Sequence, residues 1–316
     1  MERALEKAAQ QTAPVQQAAV PRKTFQFNRR KMSDVAFRYF CWISVILLCM
    51  TLLSIIGFMG KTGLMTFKEV SVSEYFLSLS WLPEEGKYGA ALFILGTFSL
   101  TALTLVIAVP LSIGMAIFIS EVAPEWLKRI IRPMLDLLVG IPSIVYGYLG
   151  MTILIPFLRD AAGVQVGDGL LAAALVLTLM VLPTITRVSD DAITFVPQQF
   201  REAAYAMGST RSQMITRIIL PAAKQGIVSA VILGMARAIG ETMAVVMVIG
   251  NTAELAKDLF TPTSVLTSNI VMQITNVEFG SAWSNALYMM AFILLFISLV
   301  MIIGIRVLQA KRSFVK

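Results

Sequence analysis

Long apolar stretches alternate with short polar segments along almost the whole chain. Six of these stretches are predicted to be membrane-spanning helices, because about 20 residues of helix cross a hydrocarbon core. They lie at about residues 36–59, 90–119, 131–157, 169–186, 226–250 and 285–307. The fourth stretch is the shortest and is expected to end near Pro183. The pattern therefore predicts an all-α integral membrane protein with six transmembrane helices.

Basic residues are concentrated in every second polar segment. The N-terminal tail, the second loop, the fourth loop and the C-terminal tail are basic, with Arg29, Lys128, Arg201 and Lys311 among their residues. The first, third and fifth loops are acidic or balanced. Because positive residues accumulate in cytoplasmic loops, the pattern predicts that both termini are cytoplasmic.

The same pattern divides the chain into four parts. They are a cytoplasmic N-terminal tail at residues 1–34, a first transmembrane helix with an external segment at 35–89, a transmembrane domain at 90–308, and a cytoplasmic C-terminal tail at 309–316. The transmembrane domain contains a cytoplasmic loop at residues 187–224. Trp81, Trp126 and Trp283 lie near the predicted bilayer boundaries, so they are expected to anchor the helices there.

Composition narrows the class further. Apolar residues make up 57% of the chain, charged residues 14%, and the mean hydropathy is +0.77, whereas soluble domains carry about 25% charged residues. The net charge of +7 lies in the tails and alternate loops, without a stripe of basic and aromatic residues, so nucleic-acid binding is excluded. The chain has no histidine, and Cys41 and Cys49 lie about 12 Å apart on one helix. Neither a disulfide nor a zinc or haem site is expected.

The fourth loop is polar enough to leave the membrane but keeps a helical periodicity. Its first helix is expected to start after Pro197 and to end at Gly208, since a left-handed residue ends many helices. Ser209 or Thr210 is expected to cap a second helix. The apolar faces are formed by Phe200, Ala203, Ala204 and Met207 in the first helix and by Met214, Ile215, Ile218 and Ile219 in the second. Such a helix–turn–helix is suited to docking into a groove of a soluble partner.

Seven residues of this loop form a pattern with fixed spacing. They are Glu202, Ala203, Ala204, Gly208, Ile218, Leu220 and Pro221. The pattern resembles the EAA loop of ABC importer permeases, in which Glu-Ala-Ala is followed after three residues by Gly and after nine more by Ile-x-Leu-Pro. The resemblance implies that the loop docks on an ATP-binding subunit and transmits its closure to the transmembrane helices.

Two charged residues lie inside the fifth apolar stretch. Arg237 is about 11 residues from either end, which places it roughly 16 Å deep in the membrane. An ionised side chain there costs about 2.5–3.5 kcal/mol on insertion scales. Glu241 follows four residues later on the same helical face, so we expect the two to form an ion pair. Gly234 and Gly240 are expected to let neighbouring helices pack closely.

This pair has two interpretations. It either fastens two helices together, or it lines a substrate pathway in which an anion displaces Glu241 from Arg237. The planar fork of donors on an arginine matches the oxygens of a phosphate, and Thr242 adds a hydroxyl donor. The segment resembles the Arg-Ala-x-Gly-Glu-Thr-Met-Ala motif of phosphate ABC importer permeases.

The third apolar stretch contains the run Ile-Pro-Ser-Ile-Val-Tyr-Gly at residues 141–147. By physical chemistry alone this run is a packing helix kinked by a proline. It is similar to the IPSIVYG segment of the same phosphate permeases. That resemblance implies that Pro142 frees a carbonyl and that Ser143 or Tyr146 faces the pathway.

The resemblances together cover about residues 90–305 and imply the fold of type I ABC importer permeases. They favour the PstC-type subunit over the PstA-type subunit, because Met-Ala-Val follows Gly-Glu-Thr at residues 243–245. They imply a bacterial inner (plasma) membrane protein that moves inorganic phosphate by alternating access. The implied partners are a homologous PstA-type permease in a heterodimeric pore, a dimer of ATP-binding cassette ATPases and an external phosphate-binding protein.

The chain has no GxxxxGK[ST] phosphate loop, so it is expected not to hydrolyse ATP. No catalytic residue, metal site or bound cofactor is predicted, and ATP and Mg²⁺ are expected to be used by the partner ATPase. Two alternatives stay open. One is a permease for sulfate or molybdate, since those permeases share the coupling loop. The other is an ion-coupled secondary anion transporter that uses Arg237 and Glu241, although no internal repeat is visible.

Overall fold

The computed structural model describes residues 29–313. Residues 1–28 and 314–316 lie outside the described part, and with them most of the predicted N-terminal tail at 1–34 and the end of the predicted tail at 309–316. Two compact units divide the chain after Ser54. In the described part of the first unit, residues 29–54 belong to one helix. Its side chains at 34–54, which are mostly apolar, are all exposed, as expected for a helix surrounded by lipid.

Thirteen α-helices and a two-stranded sheet make up the regular structure of the described residues. The helices are α1 Arg29–Leu64, α2 Val72–Leu77, α3 Ala91–Ile117, α4 Glu125–Gly140, α5 Ser143–Leu149, α6 Ile155–Ala162, α7 Leu170–Thr194, α8 Gln198–Ala206, α9 Arg211–Met214, α10 Leu220–Gly240, α11 Met243–Val248, α12 Leu266–Gln273 and α13 Ala282–Ser313. Strands β1 (Trp81–Leu82) and β2 (Lys87–Tyr88) pair antiparallel. Wider π-helical turns at Phe118–Val122, Gly150–Leu154 and Ile215–Ile219 extend α3, join α5 to α6, and join α9 to α10.

Six helical stretches within residues 29–313 are long and apolar enough to cross a membrane, which confirms the predicted number. They are Asp34–Lys68, Ala91–Val122, Ser143–Ala162, Leu170–Thr194, Arg211–Gly240 and Ala282–Gly304. The fourth span is the central one. Of its most apolar 18-residue segment, 61% is buried against other parts of the protein, whereas the corresponding share is 39% or less in the other spans.

The predicted third span, 131–157, is wrong at its start. Residues up to Gly140 belong to the separate helix α4, and the span begins at Ser143. Proline disfavours the helical conformation of the residue before it, and Ile141 accordingly has φ −69° and ψ 129°. The break is closed by Tyr146, whose hydroxyl donates to the Leu138 carbonyl at 2.9 Å. The same carbonyl also accepts a longer bond from the Ile141 N–H at 3.4 Å, so both sides of the break are bonded to the end of α4.

The fourth and fifth predicted spans also have different ends. Helix α7 continues past Pro183 to Thr194, because Pro183 is buried among neighbouring helices that keep the helix intact around the missing hydrogen bond. The fifth span is not 226–250: it starts at Arg211, since α9 and α10 form one continuous stretch, and it ends at Gly240. The predicted loop at 187–224 is therefore reduced to about residues 195–210 outside the spans.

The predicted alternation of the loops is visible in the contacts between them. The joining contacts are Arg201 with Glu121 between the fourth and second loops, Trp81 with Gln273 between the first and fifth, and Leu171 with Leu259 between the end of the third and the fifth. The even-numbered loops therefore share one end of the bundle, and the odd-numbered loops share the other. Which end faces the cytoplasm stays a prediction.

The odd-loop end contains its own small core. Trp81 is buried in it, so its predicted role as an anchor at the bilayer boundary is wrong, whereas that of the partly exposed Trp283 stays a prediction. The indole N–H groups of Trp81 and Trp283 both donate to Gln273 Oε1, at 3.1 and 2.8 Å. Trp81 is buried and stacks edge-on against Phe93. These two side chains therefore hold the external segment together by a shared acceptor. Trp126 is exposed on α4, so its predicted contact with the bilayer boundary stays a prediction.

Candidate functional site

Arg237 lies near the end of α10 and is partly buried. Its Nη1 donates to Thr184 Oγ1 at 2.9 Å, across the contact between the fifth and fourth spans. Helices α10 and α7 approach each other closely near Arg237. A Cβ added at Gly234 would lie only 2.4 Å from Ile185 Cγ1, so only glycine fits there without a shift. The predicted packing role of Gly234 is thus confirmed. Gly240 is exposed and has no neighbouring atom within 4 Å of an added Cβ, so the same prediction for Gly240 is wrong.

The predicted ion pair between Arg237 and Glu241 is wrong. Helix α10 ends at Gly240, and Glu241 has an extended backbone with φ −71° and ψ 130°. The two residues are therefore not one turn apart on a common helix. Instead, Glu241 Oε1 accepts from the Ala244 N–H at 3.3 Å, at the N-terminus of α11. A carboxylate is favourable there because the first N–H groups of a helix lack partners within the helix.

None of the ion pairs found within residues 29–313 includes Arg237. Its hydrogen-bond partner, the Thr184 hydroxyl, orients the guanidinium but does not neutralise it. A cation inside a membrane span is costly unless a counter-charge or a polar cavity accompanies it. The arrangement therefore suits a site at which an anion supplies the missing charge.

The break between α10 and α11 is tied to its neighbours by polar bonds. The Thr267 hydroxyl at the start of α12 donates to the Glu241 carbonyl at 3.1 Å. The Thr242 hydroxyl donates to the Gly240 carbonyl at 3.3 Å. Thr242 and Thr267 also line a largely apolar cavity of about 370 Å³ beside α13. The backbone here is irregular but well bonded, as expected where it lines a cavity within a membrane protein.

Ser143 and Tyr146 lie on α5, which packs against α11. A Cβ added at Gly147 would lie 2.9 Å from Ala244 Cα, so the two short helices are in close contact. Tyr146 belongs to the same buried cluster as Ala244. The structure thus brings the helix that carries Ser143 and Tyr146 against the helix that follows Glu241 and Thr242. The Tyr146 hydroxyl itself is bonded to the end of α4.

Helices α8 and α9 form the predicted helix–turn–helix. Pro197 precedes α8, and Gly208 follows it with the left-handed φ of 75°. Thr210 caps α9: its hydroxyl accepts from the Gln213 N–H, and the Gln213 side chain accepts from the Thr210 N–H. This reciprocal pair is a capping box. The predicted start and end of the first helix and the predicted start of the second are therefore confirmed, with Thr210 rather than Ser209 as the cap. The second helix continues past Pro221 into the fifth span.

The apolar residues of this segment divide into a buried set and an exposed set. Ala204, Met214, Ile215 and Ile219 are buried in one cluster with residues of α3 and α7. Phe200 and Met207 are exposed, Met207 by 85%, and Ala203 is exposed as well. Of the two alanines, Ala204 thus packs inside the protein and Ala203 faces outward. The exposed apolar side chains leave a surface on α8 that can pack against another protein.

The charged contacts of α8 involve Arg201, not Glu202, which is exposed. Arg201 Nε and Nη2 both donate to the carboxylate of Glu121, at 3.1 and 2.7 Å. Its Nη1 and Nη2 also donate to the carbonyls of Val196 and Ile193, at 2.7 and 3.1 Å. Arg201 therefore fixes the position of this segment against the end of the second span.

A second charged cluster lies beside it, around a carboxylate with no exposed surface. Asp190 accepts from Arg132 Nε and Nη2 at 2.8 and 3.0 Å and lies 3.5 Å from Arg187 Nη1. The hydrogen bonds to Asp190 raise the pKa of the Arg132 guanidinium above its ordinary value. Arg187 also contacts Asp136. These contacts hold α4 against the end of α7.

Sequence reasoning missed Thr184, Glu121 and Asp190 as members of these sites. Each is a polar residue inside or at the end of an apolar span, which is a usable signal because such residues are costly without a partner. The residues that hold them most closely are Arg237, Arg201 and Arg132, each more than 50 residues away along the chain, so the sequence alone does not identify these partners. Within the part of the chain that the structure describes, no group of three or more acidic, cysteine or histidine side chains is arranged to hold a metal ion.

Comparisons with known proteins place this arrangement among membrane proteins of transport systems. Residues 108–313 match the family described as "Binding-protein-dependent transport system inner membrane component". The chain is 41% identical over 290 residues to "Probable ABC transporter permease protein YqgH" of Bacillus subtilis (strain 168), which covers 90% of this chain and 94% of that protein. It is 33% identical over 322 residues to "Phosphate transport system permease protein PstC" of Xylella fastidiosa (strain 9a5c), covering 93% and 97%.

Solved structures agree on the fold. One chain from the crystal structure of a bacterial ABC transporter involved in the import of the acidic polysaccharide alginate aligns with a TM-score of 0.62. The alignment covers 91% of this chain and 100% of that chain at 16% identity. At so low an identity the likeness bears on the fold alone.

Proposed function

The chain belongs to the binding-protein-dependent transport system inner membrane components, a family of multi-pass membrane proteins, and from this premise we propose that it is the PstC-type permease subunit of an ATP-driven phosphate importer. Its fold is that of type I ABC importer permeases. The substrate follows from the relatives, because several proteins that are 33–37% identical over most of this chain are phosphate transport system permeases.

The observation that carries the substrate site is Arg237. It is a cation within a membrane span, held by the neutral Thr184 at 2.9 Å, and no ion pair within residues 29–313 includes it. Arginine presents two parallel N–H donors to a phosphate and keeps its charge at any physiological pH. In this proposal phosphate binds at Arg237 as its counter-ion, with Thr242, Ser143 and Tyr146 along the same pathway.

Glu241 has a different role from the predicted relay. Its carboxylate is engaged at the start of α11, so phosphate does not need to displace it from Arg237. Its negative charge lies four residues from Arg237 along the chain, just beyond the end of α10. A carboxylate near the pathway repels a bound anion, which favours release of phosphate once the site has changed its access.

The proposed transporter contains further subunits. We place this chain in a pore with a homologous PstA-type permease, on a dimer of ATP-binding cassette ATPases, with an external phosphate-binding protein at the odd-loop end. In this orientation the even-numbered loops and both termini face the cytoplasm, in keeping with their basic residues. ATP and Mg²⁺ are used by the ATPase, and the chain itself is a non-catalytic subunit that binds no cofactor.

Transport follows an alternating-access cycle in which two states of the pore differ in the side that is open. The exposed surface of α8, with Glu202, Ala203 and the turn at Gly208, docks on the ATPase. Ile218, Leu220 and Pro221 lie where the second helix of the loop continues into the fifth span. Closure of the ATPase dimer moves this rigid segment, and Arg237 lies at the other end of the same stretch.

Uptake of radiolabelled phosphate by the reconstituted complex tests the proposal. Arg237→Ala is expected to abolish uptake, whereas Arg306→Ala, which removes an exposed cation from α13, is expected to leave it unchanged. Competition with sulfate and molybdate separates phosphate from other oxyanions. If wild-type uptake continues without ATP and follows an ion gradient, the chain is a secondary transporter and the proposal is wrong.

A further inference from the structure

We propose that the ion pair between Arg201 and Glu121 transmits movement of the ATPase-docking helix α8 to the second span, in addition to the continuous path through α9 and α10. The inference rests on the proposed function, because it assigns a coupling role to residues of that docking segment. Arg201 is then a positioning residue: it contacts no substrate and acts by fixing α8 to the end of α3.

The first step of the argument is the geometry of the pair. Arg201 reaches both carboxylate oxygens of Glu121, with Nε–Oε1 at 3.1 Å, Nη2–Oε1 at 2.7 Å and Nε–Oε2 at 3.4 Å. The side chains are only 14% and 7% exposed, respectively. A pair that is this enclosed is little screened by salt and holds a defined orientation, unlike a surface pair.

The second step is the number of elements that meet at this point. Arg201 also donates to the carbonyl of Ile193, in the last turn of α7, and to the carbonyl of Val196, just beyond the end of that helix. Helix α9 is fixed to the same place, since Arg211 Nη2 contacts the Glu121 carbonyl. Both helices of the docking segment are therefore bonded to Glu121, one through its side chain and the other through its main chain.

The third step is the packing around the pair. A single buried cluster includes Ala116 of α3, Ile193 of α7, Ala204 of α8 and Met214 of α9. A displacement of α8 that left α3 in place would expose this cluster and separate two enclosed charges. Movement of α8 together with α3 and α7 preserves the buried cluster and the ion pair. We therefore infer that the docking segment and the ends of the second and fourth spans move as one body.

The consequence for transport is specific. Without the pair, the ATPase still docks on the exposed surface of α8 and still moves α10. Helix α3 then follows less completely, because only Arg211 and the buried cluster still connect it to the docking segment. ATP hydrolysis then continues while the pore opens incompletely. The expected defect is a lower number of phosphate ions moved per ATP hydrolysed, not a loss of ATPase docking.

The test uses the complete complex in proteoliposomes with the external binding protein, and measures phosphate uptake and ATP hydrolysis in the same sample. Arg201→Ala and Glu121→Gln are each expected to lower the uptake per ATP by about fivefold or more, the size of an ordinary coupling effect. The double variant is expected to be no worse than either single one, because both remove the same contact. Glu125→Gln serves as the control. It removes an exposed carboxylate that pairs with Lys128, and the ratio is expected to be unchanged.

A ratio equal to that of the wild type in both single variants contradicts the proposal. If Arg201→Ala does not assemble, Arg201→Lys takes its place, since lysine keeps the charge but cannot make the forked contact. An unchanged uptake of phosphate per ATP hydrolysed in Arg201→Lys also contradicts the proposal.

A distance measurement separates this inference from the identity of the substrate. Spin labels at Val122 and Gln199, in a protein with Cys41 and Cys49 replaced by serine, report the spacing of α3 and α8. The spacing is expected to stay constant between the nucleotide-free and ATP-trapped complexes, and to change in Arg201→Ala. A change of more than about 2 Å in the protein with Arg201 intact, the size of an ordinary helix shift, overturns the proposal. Absence of phosphate uptake, by contrast, overturns only the proposed substrate.

Discussion

Arg237 donates to Thr184 at 2.9 Å, so the cation of the fifth span is oriented by a hydroxyl of the fourth span. Glu241, which follows four residues later in the sequence, lies beyond the end of α10 and has an extended backbone. A hydroxyl accepts a hydrogen bond without cancelling the charge. The guanidinium is thus held in place and remains available to an anion, which an intrahelical ion pair would have prevented.

Thr184→Val is expected to weaken phosphate binding during transport. Valine keeps the shape of threonine but removes the acceptor. Hydrogen bonds to charged groups contribute about 1.5–3 kcal/mol, which corresponds to a change in affinity of roughly 10- to 150-fold. The phosphate concentration for half-maximal uptake should rise by a factor in that range. Thr184→Ser keeps the hydroxyl and is the matched control. Equal concentration dependence of the valine variant and the wild type would rule out the positioning role of Thr184.

Substitutions at Gly208 are expected to separate backbone conformation from size. An added Cβ meets nothing within 4 Å, but φ is 75°, which asparagine tolerates and a β-branched residue does not. Gly208→Val should therefore distort the turn and abolish co-purification of the ATPase with the permease, whereas Gly208→Asn should retain it. Loss of the ATPase in both variants would point to a steric requirement in the complex instead.

Asp190→Asn is expected to be strongly destabilising. The neutral side chain leaves Arg132 beside a buried position without its carboxylate, whereas Arg187 keeps Asp136 and Asp191. Breaking a buried ion pair costs about 3–5 kcal/mol. Denaturant unfolding of the purified protein in detergent measures the effect. The control is Asp160→Asn, which breaks an exposed pair with Arg159 and should change the free energy of unfolding by less than about 1 kcal/mol. Similar values for the two variants would contradict the structural role of Asp190.

Gln273→Leu is expected to loosen the core at the odd-loop end. It leaves the indole N–H groups of Trp81 and Trp283 without an acceptor, at a cost of about 1–3 kcal/mol for each group that stays buried. Thermal unfolding should occur at a lower temperature, and tryptophan emission should shift because two of the four tryptophans are affected. Gln165→Leu, at an exposed position, should behave as the wild type. Unchanged emission in Gln273→Leu would show that the shared acceptor does not hold this core.

The fold was predictable to the extent that local signals defined it. Six apolar stretches gave the number of spans, and Pro197, Gly208 and Thr210 gave the ends of the docking helices, since each acts through its own backbone or first turn. The span ends were less predictable. Pro183 lies within a continuous helix and Pro142 lies at a break, although both are prolines in apolar surroundings, because neighbouring helices decide whether a missing hydrogen bond is tolerated.

The sequence by itself determined the membrane-spanning class, the alternation of the loops and the turn that separates α8 from α9, because hydropathy, charge and local backbone preference act over a few residues. Only the tertiary structure decided which charged groups meet. Arg237 and Glu241 are four residues apart in the sequence yet form no ion pair, because α10 ends between them, while Arg201 and Glu121 are 80 residues apart and share hydrogen bonds. Partner choice depends on where helices end and how they pack, and those are properties of the whole bundle.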